Sequence, residues 1–173
     1  LSAFEVLQAD AWSDALDGLP GLPRGGWSPY FSDLTRDGFL DLFRRTVVGD
    51  RDPETVVLLD LKPEAQKTFV DFTATRALLG VEPVCATEVE KEGRRLFRRK
   101  GGRRVPIERI YNRVVFDELI RSGETLPFDF RDDLDVTWAP HPNWFWAWSK
   151  AALPLLDHPA APRALSLAGL DAL

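Results

Sequence analysis

A chain of 173 residues with 45% hydrophobic and 28% charged side chains can bury one ordinary globular core, which excludes a disordered tract. Its net charge of −5 gives no overall basic excess for nucleic acid, and no apolar run approaches the roughly 18 residues that cross a membrane. One cysteine, Cys85, excludes an internal disulfide framework; with no basic-then-apolar leader, the expected setting is reducing and cytoplasmic. The sequence starts at Leu1, contains no methionine, and runs out through residues 164–173 without a capping signal, so it is expected to be a piece of a longer protein.

In the first fifty residues, Phe4, Leu7, Trp12, Leu16 and Leu19 could line a short helix, with a slip of phase between Leu7 and Trp12. Four glycines and three prolines between residues 18 and 29 then make a loop. A helix is predicted over 36–48, with Thr35 as N-cap, Phe39, Leu42, Phe43 and Val47 as its apolar face, and Gly49 as its stop. Residues 55–61 (TVVLLDL) read as a strand covered on both faces.

Pro63, Glu64 and Gly80 frame a helix over 63–79. Phe69, Phe72 and Leu79 point one way and Val70, Ala74 and Ala77 another, so this helix is expected to pack on two sides. A strand over 81–89 contains Cys85. Lys100-Gly101-Gly102 then joins extended runs at 94–99 and 103–107 into a hairpin. A strand over 107–115, a helix over 116–122, a brief strand at 136–138 and a helix over 142–153 complete the order.

Such alternation predicts an α/β fold, Rossmann-like, with a mainly parallel sheet, helices on both faces and an inserted β-hairpin. The expected division is an N-terminal helical and loop segment at 1–50 and the Rossmann-like domain at 51–173. Ligands of such sheets bind beyond the carboxyl ends of the strands. That rule selects residues 60–67, 111–117 and 139–144.

At the first of these, free amides at a helix start could hold an anion with Lys62, Lys67 and Thr68; alternatively Asp60 and Glu64 simply favour the positive end of the helix dipole. At the second, strand alternation puts Ile110, Asn112 and Val114 on one face and Arg109, Tyr111 and Arg113 on the other. Arginine forks suit carboxylate or phosphate, and the plainer alternative pairs them with Asp117, Glu118 or Asp60. At the third, Trp144 and Trp148 form an aromatic stripe expected in a core or interface, with His141 and Asn143 ahead of it as caps or ligand contacts.

Residues 91–104 carry eight basic side chains against Glu92, a local charge of +7, leaving −5 − 7 = −12 elsewhere. A solvated hairpin facing an acidic partner surface is expected, and nucleic acid is not. Asp129, Asp132, Asp133 and Asp135 are expected to be solvated. His141 and His158, the only histidines, have no cysteine cluster to make a zinc site with. No Gly-x-Ser-x-Gly elbow, Cys–His motif or dinucleotide fingerprint is present, so the chain holds no self-sufficient catalytic set.

Three stretches, VVLLDLKPEAQKTFVDF, PIERIYNRVVFDEL and DVTWAPHPNWFWAWSKAALPLL, resemble the central portion of a bacterial family of ATP-grasp-like proteins. This family is related to glutathione synthetase and to the circularly permuted ATP-grasp ligases, and the resemblance covers about residues 53–162. It implies a Rossmann-like pre-ATP-grasp domain that contributes to the substrate site and precedes the ATP-grasp lobes. The permuted ligases carry a strand reading roughly Ile-Tyr-Arg-Arg. Its counterpart is Ile110, Tyr111, Asn112 and Arg113, with a departure at Asn112.

By this resemblance the chain is the substrate-side domain of an ATP-dependent carboxylate–amine ligase and is not catalytic alone. Arg109, Tyr111 and Arg113 would hold a small acidic substrate, with His141 and Asn143 at the rim. ATP and magnesium would be bound by a missing ATP-grasp domain of the same protein, its expected partner. The alternative is a non-catalytic Rossmann-like module that docks through its Trp-rich face.

Overall fold

A computed structural model describes residues 2–22, 28–30, 33–142 and 150–163. Two compact units divide the chain at residues 139 and 140. In the first unit, helices α1 (Ala3–Asp17) and α2 (Arg36–Val47) precede strand β1 (Val56–Asp60). Helix α3 (Phe69–Leu79), β2 (Glu82–Cys85), β3 (Glu90–Glu92), β4 (Arg95–Lys100), β5 (Arg103–Ile107), β6 (Arg109–Asn112), α4 (Phe116–Ser122) and β7 (Thr137–Trp138) follow.

Two sheets result. The larger is parallel throughout, in the order β2-β1-β6-β7. The smaller is antiparallel, β3-β4-β5, and lies in sequence between β2 and β6. This is the Rossmann-like α/β architecture with its hairpin-like insertion. All five residues of β1 are buried, as a β-branched and aliphatic run with both faces covered requires. Val56 and Leu58 pack with Phe43 and Val47 of α2, Phe72 and Leu79 of α3, and Ala3 of α1. Val57 and Leu59 pack with Ile110 and Val114, with Leu96 and Ile107 of the small sheet, and with Phe116 and Leu119 of α4. Helical cover therefore exists on both faces, and the small sheet shares the second.

Several expectations change in detail. Helix α1 buries Ala3, Val6 and Ala9, while Leu7 and Trp12 face solvent; small side chains, not the large ones, make its close contact. The helix expected over 63–79 splits. Pro63–Ala65 is a 3-10 turn, Gln66 is extended, and α3 starts at Phe69. Phe69 and Val70 are exposed, so α3 packs on one side, and the buried polar residues on that side are Asp71 and Thr75. Residues 81–89 form β2 and then a 3-10 turn at Ala86–Glu88. Of the last predicted helix, residues 143–149 lie outside the described ones, and Lys150–Asp157 is a 3-10 helix containing Pro154. Among the described residues no helix is long and apolar enough to cross a membrane.

Candidate functional site: the crevice between β1 and β6

Strand order sets the site. The chain runs from β1 through α3 to β2 on one side, then returns to place β6 on the other side of β1. Connections leave β1 and β6 in opposite directions, which opens a crevice at their carboxyl ends. Register pairs Leu59 with Asn112, and Arg113 N donates to Leu59 O at 2.9 Å. Asp60, Asn112 and Arg113 thus lie where the two strands end, Asn112 on the Leu59 face and Asp60 and Arg113 on the other.

Asp60 is buried, and its Oδ1 accepts from the following amide, Leu61 N, at 2.8 Å. Burial pushes its carboxyl up to about 6; the Leu61 amide opposes this, Glu118 adds to it, and Arg113 opposes it. Arg113 reaches across to α3, where its Nη1 donates to Asp71 Oδ2 at 2.5 Å and to the Tyr111 hydroxyl at 3.2 Å. Burial works against the guanidinium charge, and Tyr111 and Asp71 outweigh it. Asp71 Oδ1 in turn accepts from Phe4 N at 2.9 Å, so one buried carboxylate ties α1, α3 and the end of β6 together. The Tyr111 ring packs edge-on against Phe43, and burial raises the pKa of its phenol.

The loop from β1 to α3 forms the other wall. Lys62 sits in the left-handed region at φ 43°, a strained conformation for a residue with a Cβ. Its amide donates to Cys85 Sγ at 3.3 Å and its Nζ pairs with Glu124 at 2.6 Å. Gln66 Nε2 donates to both Leu61 O and Glu118 Oε1, each at 2.8 Å, and so joins the loop to α4. Outside this joint lies an open groove of about 660 Å³, lined by Gln66, Lys67, Thr68, Glu118, Arg121 and Ser122. Thr68 is the N-cap of α3 but makes no side-chain capping bond.

The predicted site residues separate accordingly. Tyr111 and Arg113 meet at the end of β6 and Asn112 turns to the other face there, with Lys67 and Thr68 on the adjoining groove and Lys62 held in the loop wall. Arg109 does not join them. It sits at the opposite end of β6 and caps α2, donating to Thr46 O at 2.8 Å and Val47 O at 2.9 Å. There it meets helix carbonyls at the negative end of a helix dipole, which explains its type without a ligand. His141 is half-buried in the second unit, and Asn143, Trp144 and Trp148 lie outside the described residues.

Asp71 had no place among the predicted site residues. Its signal is a carboxylate four residues ahead of the buried Thr75, on the packed side of α3. Asp60 had been assigned only to the helix dipole or to pairing with arginine, although a lone charge ending a five-residue apolar strand is itself a signal.

The basic hairpin finds its carboxylates within the chain. Lys91 pairs with Asp132, Arg94 with Asp133 and Asp135, and Arg98 with Glu82. Arg99 and Arg104 share Glu90, Arg104 also meets Glu92, and Lys100 and Arg103 meet Glu54. Asp132, Asp133 and Asp135 therefore clasp the hairpin while their side chains stay partly or largely exposed to solvent. No family model matches the chain, and neither does any curated protein or solved structure.

Proposed function

We propose that this chain is the substrate-side domain of an ATP-dependent carboxylate–amine ligase of the ATP-grasp type, and that it does not complete the reaction alone. The observation that carries the reading is the placement of Asp60 and Arg113 at the carboxyl ends of β1 and β6, with Arg113 held there by Asp71 and Tyr111. There a desolvated carboxylate and a guanidinium with donors to spare stand where ligands of such sheets bind. In this chemistry ATP phosphorylates a carboxylate to an acyl phosphate with release of ADP, and an amine then displaces phosphate to form an amide. Both steps depend on positioned cations and on a held substrate.

Arg113 and Tyr111 supply polar contacts for substrate, and Lys67 and Arg121 add positive charge outside. Arg109, spent on α2, is left out of this assignment. Among the described residues no three His, Cys, Asp or Glu side chains converge as metal ligands. The reading assigns ATP and magnesium to an ATP-grasp partner domain and derives no step through them. Calorimetry with ATP and the 173-residue chain tests the division of labour: no micromolar binding is expected, and micromolar binding would overturn it.

A second reading, a non-catalytic interaction module, draws support from the internal partners of both arginines. It is separated from the first by ligase assays on the full protein carrying Arg113→Lys. Loss of activity with an unchanged melting temperature favours the ligase, and unchanged activity favours the module.

A further inference from the structure

Helix α1 is apolar on two sides and packs with one. Ala3, Val6 and Ala9 are buried, Ala3 among Phe43, Val56 and Phe72. At about 3.6 residues per turn, the side turned away from them carries Leu7, Gln8, Ala11, Trp12 and Ala15, all exposed. Leu7 is 41% and Trp12 64% exposed, and no charge interrupts the five. A surface helix ordinarily puts its charged side chains on that side, where water solvates them. Tryptophan carries a large apolar area, so whatever covers Trp12 gains much from doing so.

The charges of α1 stand at the borders of this stripe. Helical spacing puts Glu5 at the Trp12 border and Asp14 at the Leu7 border. Glu5 also closes the capping box on Ser2 N, and Asp10, nearer the packed side, is held by Arg36. The last turn of α1 holds Asp14 and Asp17 and no basic residue, although the carbonyl end of a helix favours cations. An uncharged stripe with acids at both borders fits a partner surface that is apolar in the middle and basic at its edges. A second copy meeting this face through its own would set acid against acid, and an anionic bilayer would be repelled in the same way.

We propose that the exposed face of α1 docks an amphipathic helix whose apolar stripe is bordered by lysine or arginine. Leu7 and Trp12 are the anchors, Ala11 and Ala15 let the partner backbone come close, and Glu5 and Asp14 meet its basic borders. The proposal is independent of the ligase reading, because it uses no residue of the crevice.

The test is an NMR titration of the 173-residue chain, reading the Trp12 indole N–H and the Leu7 methyl groups. The probe is a helical peptide of about 20 residues with leucine at its a and d positions and lysine at e and g. A second peptide carries glutamate in place of each lysine. The lysine peptide is expected to shift both signals and to bind at least tenfold more tightly than the glutamate peptide. Trp12→Ser, at an exposed position, is expected to weaken it at least tenfold with an unchanged melting temperature. Asp14→Lys is expected to narrow the difference between the two peptides to about threefold or less. The proposal is overturned if neither peptide shifts these signals, if the glutamate peptide binds as tightly, or if Trp12→Ser binds the lysine peptide undiminished. Sedimentation of the chain alone as a dimer that Trp12→Ser dissociates would assign the face to a second copy and overturn it. Binding to phosphatidylserine vesicles that is lost in Trp12→Ser would overturn it equally.

Discussion

The small sheet and the β1/β6 crevice handle charge in opposite ways. Between residues 91 and 104 every cation except Arg95 has a carboxylate, and Arg95 lies 5.1 Å over the Phe97 ring. Most of these pairs are exposed, so the region has a high density of charge, and among its described buried atoms Arg98 Nε alone lacks a partner. The crevice has few charges, and among the described residues they are incompletely paired: the buried Asp60 with one local bond, the buried Asn112 Oδ1 with none, the half-buried Arg113 with donors to spare. Charge density therefore misleads as a guide to function in this molecule. Unmet bonding capacity is the better guide, because solvent already satisfies an exposed charge and cannot reach a buried one.

The contrast can be broken most severely at Asp71. Asp71→Ala leaves Arg113 without its carboxylate and Phe4 N without its acceptor. A loss of about 3 kcal/mol in urea denaturation is expected, with faster amide exchange through α1. A loss below about 1 kcal/mol would show that the Asp71–Arg113 pair is no better buried than the hairpin pairs.

Next in size is Asp60→Asn, with the opposite sign. The folded-state value of about 6 lies above the ordinary aspartate value of 3.8, so the folded protein holds this proton more tightly than the unfolded chain. Asp60 therefore favours folding when protonated, and that contribution is lost as pH rises from 3.8 toward about 6. Allowing for partial solvent screening, the ionised side chain costs about 2 kcal/mol above that range. Asp60→Asn should raise stability by about that amount near neutral pH, and the gain should vanish as the acid range is entered. Denaturation at several pH values measures it, and a uniform loss at every pH would make Asp60 a structural acceptor.

The smallest effects belong to the hairpin. Arg99→Ala and Arg103→Ala each remove an exposed pair with Glu90 or Glu54, and each should change stability by less than about 0.5 kcal/mol. Added salt should shrink even that difference. A change above about 1 kcal/mol at either position would mean that the network acts as a unit.

Sequence pattern carried the framework further than the site. The run 55–61, the Gly-Gly turn and the helix at residues 116–122 were legible because continuous burial, hairpin geometry and helical spacing each leave a local signature. The alternation that separates Ile110 and Val114 from Tyr111 was legible for the same reason. The break at Gln66 was not, since Pro63 and Glu64 begin a 3-10 turn and an α-helix equally well. Nor could spacing tell Arg109 from Arg113. They share a strand face, yet one meets helix carbonyls and the other a buried carboxylate on α3, and those partners are fixed only by tertiary packing.

The placement of the small sheet between β2 and β6 also bears on the order in which the molecule assembles. Strands β4 and β5 meet through a Gly-Gly turn and can pair within microseconds, whereas β1 and β6 must wait for the whole of α3, β2 and that hairpin to be threaded between them. The seam between β1 and β6 is then among the last contacts to close in folding. A half-folded chain would carry the hairpin with only Glu90 and Glu92 against its cations, since Glu54, Glu82, Asp132, Asp133 and Asp135 come from outside it, and the junction of Asp60 with Arg113 would form only with the final closure.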